Sequence, residues 1–134
     1  MKLNLLNILC TFIVLLTLAC TPSVKPEQLY GEWKYTKVES PNQNPPYSMP
    51  PEEVQKENPS IQFTRNKDLV IIWGGKTLSY GKFRLEDRMI RYKESLPGGT
   101  TREFPFLIKE ITDAKLVFET MSQDVSRITA VKKK

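Results

Sequence analysis

The sequence predicts an all-β domain, folded as an eight-stranded antiparallel up-and-down barrel that follows a cleaved signal peptide. Eight short runs of β-favouring residues are separated by turn-forming residues, and almost nothing in them recurs at helical spacing. Most of the connections are short, which indicates an antiparallel meander, and closing a meander into a barrel removes its exposed edges. A two-sheet sandwich is the alternative. The runs are residues 30–39, 60–65, 69–73, 77–85, 89–94, 102–109, 115–120 and 125–131.

The N-terminal segment has the composition of an export signal. Met1 and Lys2 supply a positive start, residues 3–19 are almost wholly apolar, and the small Ala19 precedes Cys20. Together these features predict a secretory signal peptide. The ending Leu-Thr-Leu-Ala-Cys resembles the lipobox of bacterial lipoproteins, which implies that the thiol of Cys20 carries a lipid and that Cys20 becomes the new N-terminus. An uncleaved membrane anchor is the alternative, although the apolar run is short for a span and contains polar residues.

These features divide the chain into three segments. Residues 1–19 are the predicted signal peptide, residues 20–28 a tether, and residues 29–134 the barrel domain. The tether contains Pro22 and Pro26 and has no apolar periodicity, so we expect an extended segment that gives the domain reach above a membrane. The roughly 115 residues that remain after cleavage suffice for one domain with one hydrophobic core.

The residue types that carry most enzyme and metal chemistry are missing from the mature sequence. The chain contains no histidine, and no free thiol remains, because Cys10 lies in the signal peptide and Cys20 would carry the lipid. A disulfide, a His base, a His-activated nucleophile and a His or thiolate metal site are therefore not expected. The acidic residues Glu86, Asp87 and Asp113 lie at predicted turns, where solvation is expected rather than catalysis. We predict no enzymatic activity, no catalytic residue, no metal and no cofactor.

The charge balance is mildly basic. The chain has 20 Lys and Arg residues against 15 Asp and Glu residues, and it loses Lys2 with the signal peptide. The basic residues are spread among acidic ones, so nucleic acid is not an expected partner. Residues 132–134 form a basic terminus that either contacts anionic lipid headgroups or remains solvated.

The first run is followed by a long polar segment. Residues 30–39 alternate apolar or aromatic positions with charged ones, which is typical of a strand with one buried face. Residues 40–58, called here the proline-rich insertion, contain five prolines by count. Within it, residues 50–57 predict a short helix, because prolines stand at its start and Glu52 and Glu53 lie in its first turn.

The following runs pair as hairpins. Residues 66–68 contain Asn and Asp, which tolerate the backbone angles of tight connections, so they predict a turn before residues 69–73. That run is apolar on both faces, and its inward face cannot be read from the pattern. Glu86 and Asp87 predict the next turn, and residues 97–99 end the strand that follows it.

The start of the first strand resembles a known family. Residues 29–33 contain Gly31 and Trp33 in an arrangement similar to the Gly-x-Trp signature of lipocalins, and the later spacing of turns resembles small lipocalin-like domains of bacterial lipoproteins. The resemblance implies that Trp33 lies at the closed end of the barrel and that an Arg of the last strand packs across its ring. Arg127 matches that position and is predicted to stack on Trp33. The alternative is an Arg127 solvated on the outer face.

A barrel of this strand number either holds one small ligand or fills itself with side chains. Inward aromatic side chains would line a cavity and would suit a hydrophobic or amphipathic guest, since they offer apolar faces with a few phenolic groups. The same side chains would otherwise form an ordinary core. The candidates are Tyr35, Phe63, Trp73, Tyr80, Tyr92, Phe104 and Phe106.

Two functions are compatible with these features. The first is a membrane-anchored lipoprotein of the bacterial cell envelope that binds a small hydrophobic or amphipathic ligand in its barrel without catalysis. The alternative is a filled barrel that acts as a protein-interaction or accessory module of an envelope complex, docking through the proline-rich insertion. The residue after Cys20 is Thr21, and this position resembles that of lipoproteins sorted to the outer membrane.

Overall fold

The computed structural model describes residues 22–134, in which nine strands form one antiparallel sheet. The predicted signal peptide and Cys20, the predicted site of lipid attachment, lie outside the described residues. Two short helices and a 3-10 turn at Pro97–Gly99 complete these elements. The helices are α1 (Pro26–Leu29) and α2 (Pro51–Glu57); the strands are β1 (Gly31–Ser40), β2 (Tyr47–Ser48), β3 (Ser60–Phe63), β4 (Asp68–Trp73), β5 (Lys76–Glu86), β6 (Met89–Ser95), β7 (Thr101–Ile111), β8 (Lys115–Thr120) and β9 (Arg127–Lys132).

The sheet closes through β1, which hydrogen-bonds to strands on both sides. Trp33 is the register partner of Ile61 in β3 and of Lys132 in β9. From β3 to β9, each strand pairs with the next one along the chain, while the two-residue β2 pairs only with the end of β1. Eight strands therefore form the closed barrel, and the predicted eight-stranded antiparallel up-and-down architecture is confirmed.

The predicted short helix in the proline-rich insertion is α2. Pro51 lies in its first turn, where a missing N–H costs nothing, and Glu52 and Glu53 also lie there, while Lys56 is in the last turn. Asn58 ends the helix in the left-handed conformation, with φ of 45°, and its N–H donates to the carbonyl of Val54. Among residues 22–134, no helix is long and apolar enough to cross a membrane.

The barrel interior is the hydrophobic core. In β4, whose inward face the sequence pattern does not reveal, Leu69 is buried and Ile71 and Trp73 pack against the core. Bulges in the pairings of β1 with β9, β4 with β5 and β7 with β8 bend the strands around the barrel. The buried side chains of β5 and β6 include Phe83, Ile90 and Tyr92.

One end of the barrel is closed by the segment before β1. The indole N–H of Trp33 donates to the carbonyl of Leu29 at 2.8 Å, and both residues are buried. Val24 is also buried, and its N–H donates to the carbonyl of Asp87 in the β5–β6 turn at 3.3 Å. The predicted tether, residues 20–28, is therefore too long, because the Val24 side chain belongs to the core and residues 26–28 belong to α1.

The predicted stacking of Arg127 on Trp33 is wrong. The antiparallel register of β1 and β9 places Arg127 opposite Glu39, near the far end of β1. There the Arg127 guanidinium binds the carboxylate of Glu119, with Nη2 and Oε2 3.2 Å apart. The cation over the Trp33 ring is Lys132, whose Nζ lies 4.7 Å from the ring centroid.

Candidate binding site at the mouth of the barrel

The barrel end opposite α1 is called here the mouth. It is formed by the end of β1, the β4–β5 turn, the 3-10 turn and the β8–β9 connection, residues 121–126. The proline-rich insertion lies beside it, because the N–H of Gly74 donates to the carbonyl of Glu57 at 2.7 Å and the N–H of Met49 to that of Val38 at 2.9 Å.

The predicted aromatic residues are mostly inside the barrel, where they contact one another. Tyr92 packs against Phe104 and Phe106, with ring centroids 5.1 and 5.8 Å apart, and Phe106 packs against Phe118 at 5.4 Å. The edges and faces of these rings meet in the arrangements that aromatic pairs favour. The inward-facing candidates are Tyr35, Phe63, Trp73, Tyr92, Phe104 and Phe106, of which Trp73 and Phe104 are only partly buried.

The prediction that Tyr80 faces inward is wrong. Its side chain is on the outer wall, and the residue is 57% exposed. Phe83 and Gly81 are buried on the same strand, and side chains alternate between the two faces, so Tyr80 must point away from the core. Phe63 meets Phe83 instead, with ring centroids 5.1 Å apart.

A carboxylate is buried inside the barrel near the mouth, at Glu94 in β6. Its Oε2 accepts a hydrogen bond from the Ser79 hydroxyl at 2.6 Å. Its Oε1 accepts a hydrogen bond from Nε of Arg102 at 3.1 Å and lies 3.0 Å from Nη2 of the same guanidinium. The Tyr92 hydroxyl lies 2.5 Å from the Ser79 oxygen. A buried charge is stable only when it is paired and hydrogen-bonded, and both oxygens of Glu94 meet that requirement.

The direction of the hydrogen bonds in this network follows from the number of protons. Ser79 has one hydroxyl proton, and Glu94 takes it, so Tyr92 must donate its own proton to the Ser79 oxygen. Burial raises the pKa of the Tyr92 phenol, and the negative charge of Glu94 acts in the same direction. Tyr92 therefore remains protonated at neutral pH and serves as a donor.

The two charged partners differ in their access to water. The Glu94 side chain is 10% exposed, whereas the Arg102 side chain is 63% exposed. The guanidinium carbon of Arg102 lies 5.5 Å from the centroid of the Phe104 ring. Arg102 therefore covers both the carboxylate and an aromatic face from the solvent side.

Sequence reasoning missed Glu94, although a signal for it was present. Ile90 and Tyr92 are apolar residues two apart, and continuing that alternation by one step places Glu94 on the inner face. The strand opposite is close: Gly81 is the register partner of Glu94, and a Cβ at Gly81 would lie 2.0 Å from the carbonyl oxygen of Lys93. Only glycine allows this approach of β5 and β6.

Two surface cavities lie beside β7 and β8, toward the mouth. One, of about 280 Å³, includes Phe104 in its lining and lies at the mouth. The other, of about 480 Å³, includes Leu107 and Glu119 and lies on the outer wall. Thr120, Met121 and Ser122 line both cavities. The mouth cavity is thus lined in part by Phe104, the residue over whose ring Arg102 lies.

The comparisons with known proteins support the fold. No protein-family model matches the chain, and neither does any curated protein. Among solved structures, the chain is similar to a lipocalin-like protein from Bacteroides uniformis, with a TM-score of 0.52 and 14% sequence identity. The match covers 77% of this chain and 97% of that protein. At this identity the likeness shows a lipocalin-like barrel fold.

Proposed function

We propose that this protein is a lipid-anchored lipoprotein of the bacterial cell envelope whose barrel binds a small amphipathic ligand at the mouth, without catalysis. The observation that carries the proposal is the buried Glu94, which points into the barrel beside the rings of Tyr92 and Phe104. Small-molecule sites combine apolar walls with a few placed polar groups, and this arrangement supplies both.

The packing of the interior supports a site at the mouth rather than deep in the barrel. Tyr35 and Phe106 both pack against Phe118, and Phe63 packs against Phe83, so aromatic side chains occupy space inside the barrel. Sites for drug-sized ligands usually begin at about 300 Å³, and the mouth cavity of about 280 Å³ is close to that size. The lipocalin-like fold agrees with a binding role.

The path of the chain supports an orientation for the anchored protein. Val24 packs at the closed end, beside the β5–β6 turn. Cys20 precedes it by four residues, which span at most about 14 Å when extended. A lipid on Cys20 would therefore hold the closed end near the bilayer, proposed to be the outer membrane, and the mouth would face away from it.

Calorimetry with decyl amphiphiles tests the binding role. We expect saturable binding of at least one of decylammonium, decanol and decanoate below their micelle concentrations. Phe104→Ala removes a mouth ring and should weaken that binding by about tenfold or more. Tyr80→Ala removes a ring from the outer wall and should leave it unchanged. Absence of saturable binding by all three probes would contradict the proposal.

A second candidate function rests on an outer apolar patch, formed by Val70, Ile72, Leu78 and Tyr80. Leu78 and Tyr80 are 65% and 57% exposed, and Tyr80 is the register partner of Val70. Exposed apolar surface of this kind marks protein-interaction sites, so the barrel would dock another envelope protein here. A photo-crosslinking residue at position 80 should form one defined adduct in the envelope, and the same residue at position 93 should not. Equal labelling at both positions, or none, would dismiss this candidate.

A further inference from the structure

We infer that the ligand of the mouth carries a primary ammonium group, which binds Glu94 in place of the Arg102 guanidinium. This inference rests on the proposed binding function and specifies the chemistry of the ligand. The Arg102 guanidinium shows which kind of group the site accepts, since its Nε donates a hydrogen bond to Oε1 of Glu94 and its Nη2 lies 3.0 Å from the same oxygen.

The difference in exposure decides which partner can leave. Arg102 is 63% exposed and can turn into water with little loss, whereas Glu94 is 10% exposed and cannot. Removing one partner of a buried pair is costly, because it leaves an uncompensated charge. A ligand that displaces Arg102 must therefore bring a positive charge of its own.

Displacement of Arg102 would also expose the apolar surface that a ligand needs. The guanidinium lies over the Phe104 ring, and Phe104 lines the mouth cavity. When Arg102 turns outward, an alkyl or aromatic body can occupy that ring face while the ammonium binds Glu94.

The same geometry disfavours anionic and quaternary head groups. An anion could bind only Arg102, which would leave Glu94 without its partner and add a like charge near it. A quaternary ammonium offers no N–H to Oε1, whereas a primary ammonium has three donors, as a lysine has. Ser79 already donates to Oε2, so Oε1 is the oxygen that Arg102 would leave for the ligand.

The neighbouring acidic residue does not substitute for Glu94. Glu103 follows Arg102 in β7, but its Oε1 lies 2.7 Å from Nη1 of Arg84. Its side chain is 43% exposed, so it is solvated where Glu94 is not. Glu103 therefore offers a matched control, with the same charge one position from Arg102 but outside the site.

Three decyl probes with one common tail test the inference by calorimetry at neutral pH and low ionic strength. Decylammonium should bind at least about tenfold more tightly than decanoate and than decyltrimethylammonium. The protein carries an excess of positive charge, so non-specific attraction would favour decanoate. Tighter binding of decylammonium than of decanoate would therefore indicate a contact with the Glu94 carboxylate.

Variants assign the preference to the pair. Glu94→Gln should weaken decylammonium binding by about tenfold or more, and Glu103→Gln should leave it unchanged. Arg102→Ala removes the competing cation and should strengthen decylammonium binding. If Arg102 had only a structural role, the same variant would weaken the binding of every probe. The comparison of probes on the unaltered protein does not depend on the folding of any variant.

The outcomes separate this inference from the proposed function. Equal or tighter binding of decanoate, or a Glu94→Gln variant that retains full decylammonium affinity, would overturn the ammonium specificity while leaving a ligand-binding barrel. Failure of every decyl amphiphile to bind saturably would remove the binding function itself.

Discussion

Lys132 places its ammonium group over the indole ring of Trp33, with Nζ 4.7 Å from the ring centroid. The same group donates a hydrogen bond to the carbonyl of Tyr30. Lys132 ends β9 and Trp33 lies near the start of β1, and the two residues are register partners. Their contact therefore joins the first and last strands at the closed end of the barrel.

The first prediction concerns this contact. Lys132→Ala should lower the free energy of unfolding by about 1 kcal/mol, because it removes a cation from an aromatic face and a hydrogen bond to the carbonyl of Tyr30. Lys132→Arg should restore most of the loss. Urea unfolding followed by tryptophan fluorescence measures both. Lys133→Ala removes a neighbouring cation that pairs weakly with Glu32 and should have little effect; a loss equal to that of Lys132→Ala would argue against the ring contact.

The second prediction concerns Gly31, which leaves room for the Lys132 chain. Gly31 has φ of 121°, and a Cβ there would lie 2.8 Å from Cε of Lys132. Gly31→Ala should destabilise the fold by about 1–3 kcal/mol through backbone strain, with a further loss from the displaced lysine. Gly98→Ala is the control, since Gly98 also has positive φ but nothing within 4 Å. Equal losses in urea unfolding would mean that the lysine contact contributes nothing.

The third prediction concerns the close approach of β5 and β6 at Gly81. A Cβ at this position would lie 2.0 Å from the carbonyl oxygen of Lys93, and backbone cannot yield as a flexible side chain does. Gly81→Ala should cost more than about 3 kcal/mol or prevent folding. Circular dichroism and urea unfolding measure the loss. A variant as stable as the unaltered protein would show that the two strands can separate at Glu94 without penalty.

The fourth prediction concerns alkaline stability. Burial raises the pKa of the Tyr35 phenol, with a smaller contribution from Tyr92, and burial raises the pKa of Tyr92 as well. The unfolded chain then loses these protons near pH 10 while the folded protein keeps them, so stability falls as pH rises above about 10. Tyr35→Phe should reduce this fall, measured by urea unfolding at pH 9 and pH 11.

The exposed Tyr80 supplies the control for that measurement. Tyr80→Phe changes a phenol on the outer wall and should leave the pH dependence as it is in the unaltered protein. If Tyr35→Phe and Tyr80→Phe lose the same unfolding free energy between pH 9 and pH 11, the buried phenol does not contribute to the alkaline loss of stability.

The fifth prediction concerns the lipid anchor. Cys20→Ser removes the thiol that would carry the lipid, so the protein should no longer incorporate a fatty-acid analogue during growth and should leave the membrane fraction or remain unprocessed. Metabolic labelling followed by fractionation measures both effects. Continued labelling of the serine variant would contradict lipid attachment at Cys20.

The sequence predicted the elements that depend on neighbours along the chain. The helix Pro51–Glu57 follows from its early prolines and acidic first turn. The turn between β5 and β6 includes Asp87, whose φ is 53°, in agreement with a residue type that tolerates this conformation. The alternation in the first run likewise predicted that Trp33 and Tyr35 share a face, and both are buried.

The sequence by itself determined most of the strands and turns, because period-two alternation and turn chemistry are local properties, and it favoured a barrel over a two-sheet sandwich. The pairing of β1 with β9 that closes the barrel is a long-range contact. Only the tertiary structure decided which residues meet across the barrel. Lys132 rather than Arg127 reaches Trp33, and Arg102 reaches Glu94. These contacts depend on the register between paired strands, and local sequence patterns do not encode that register. The binding site at the mouth depends on that register, so the structure was needed to find it.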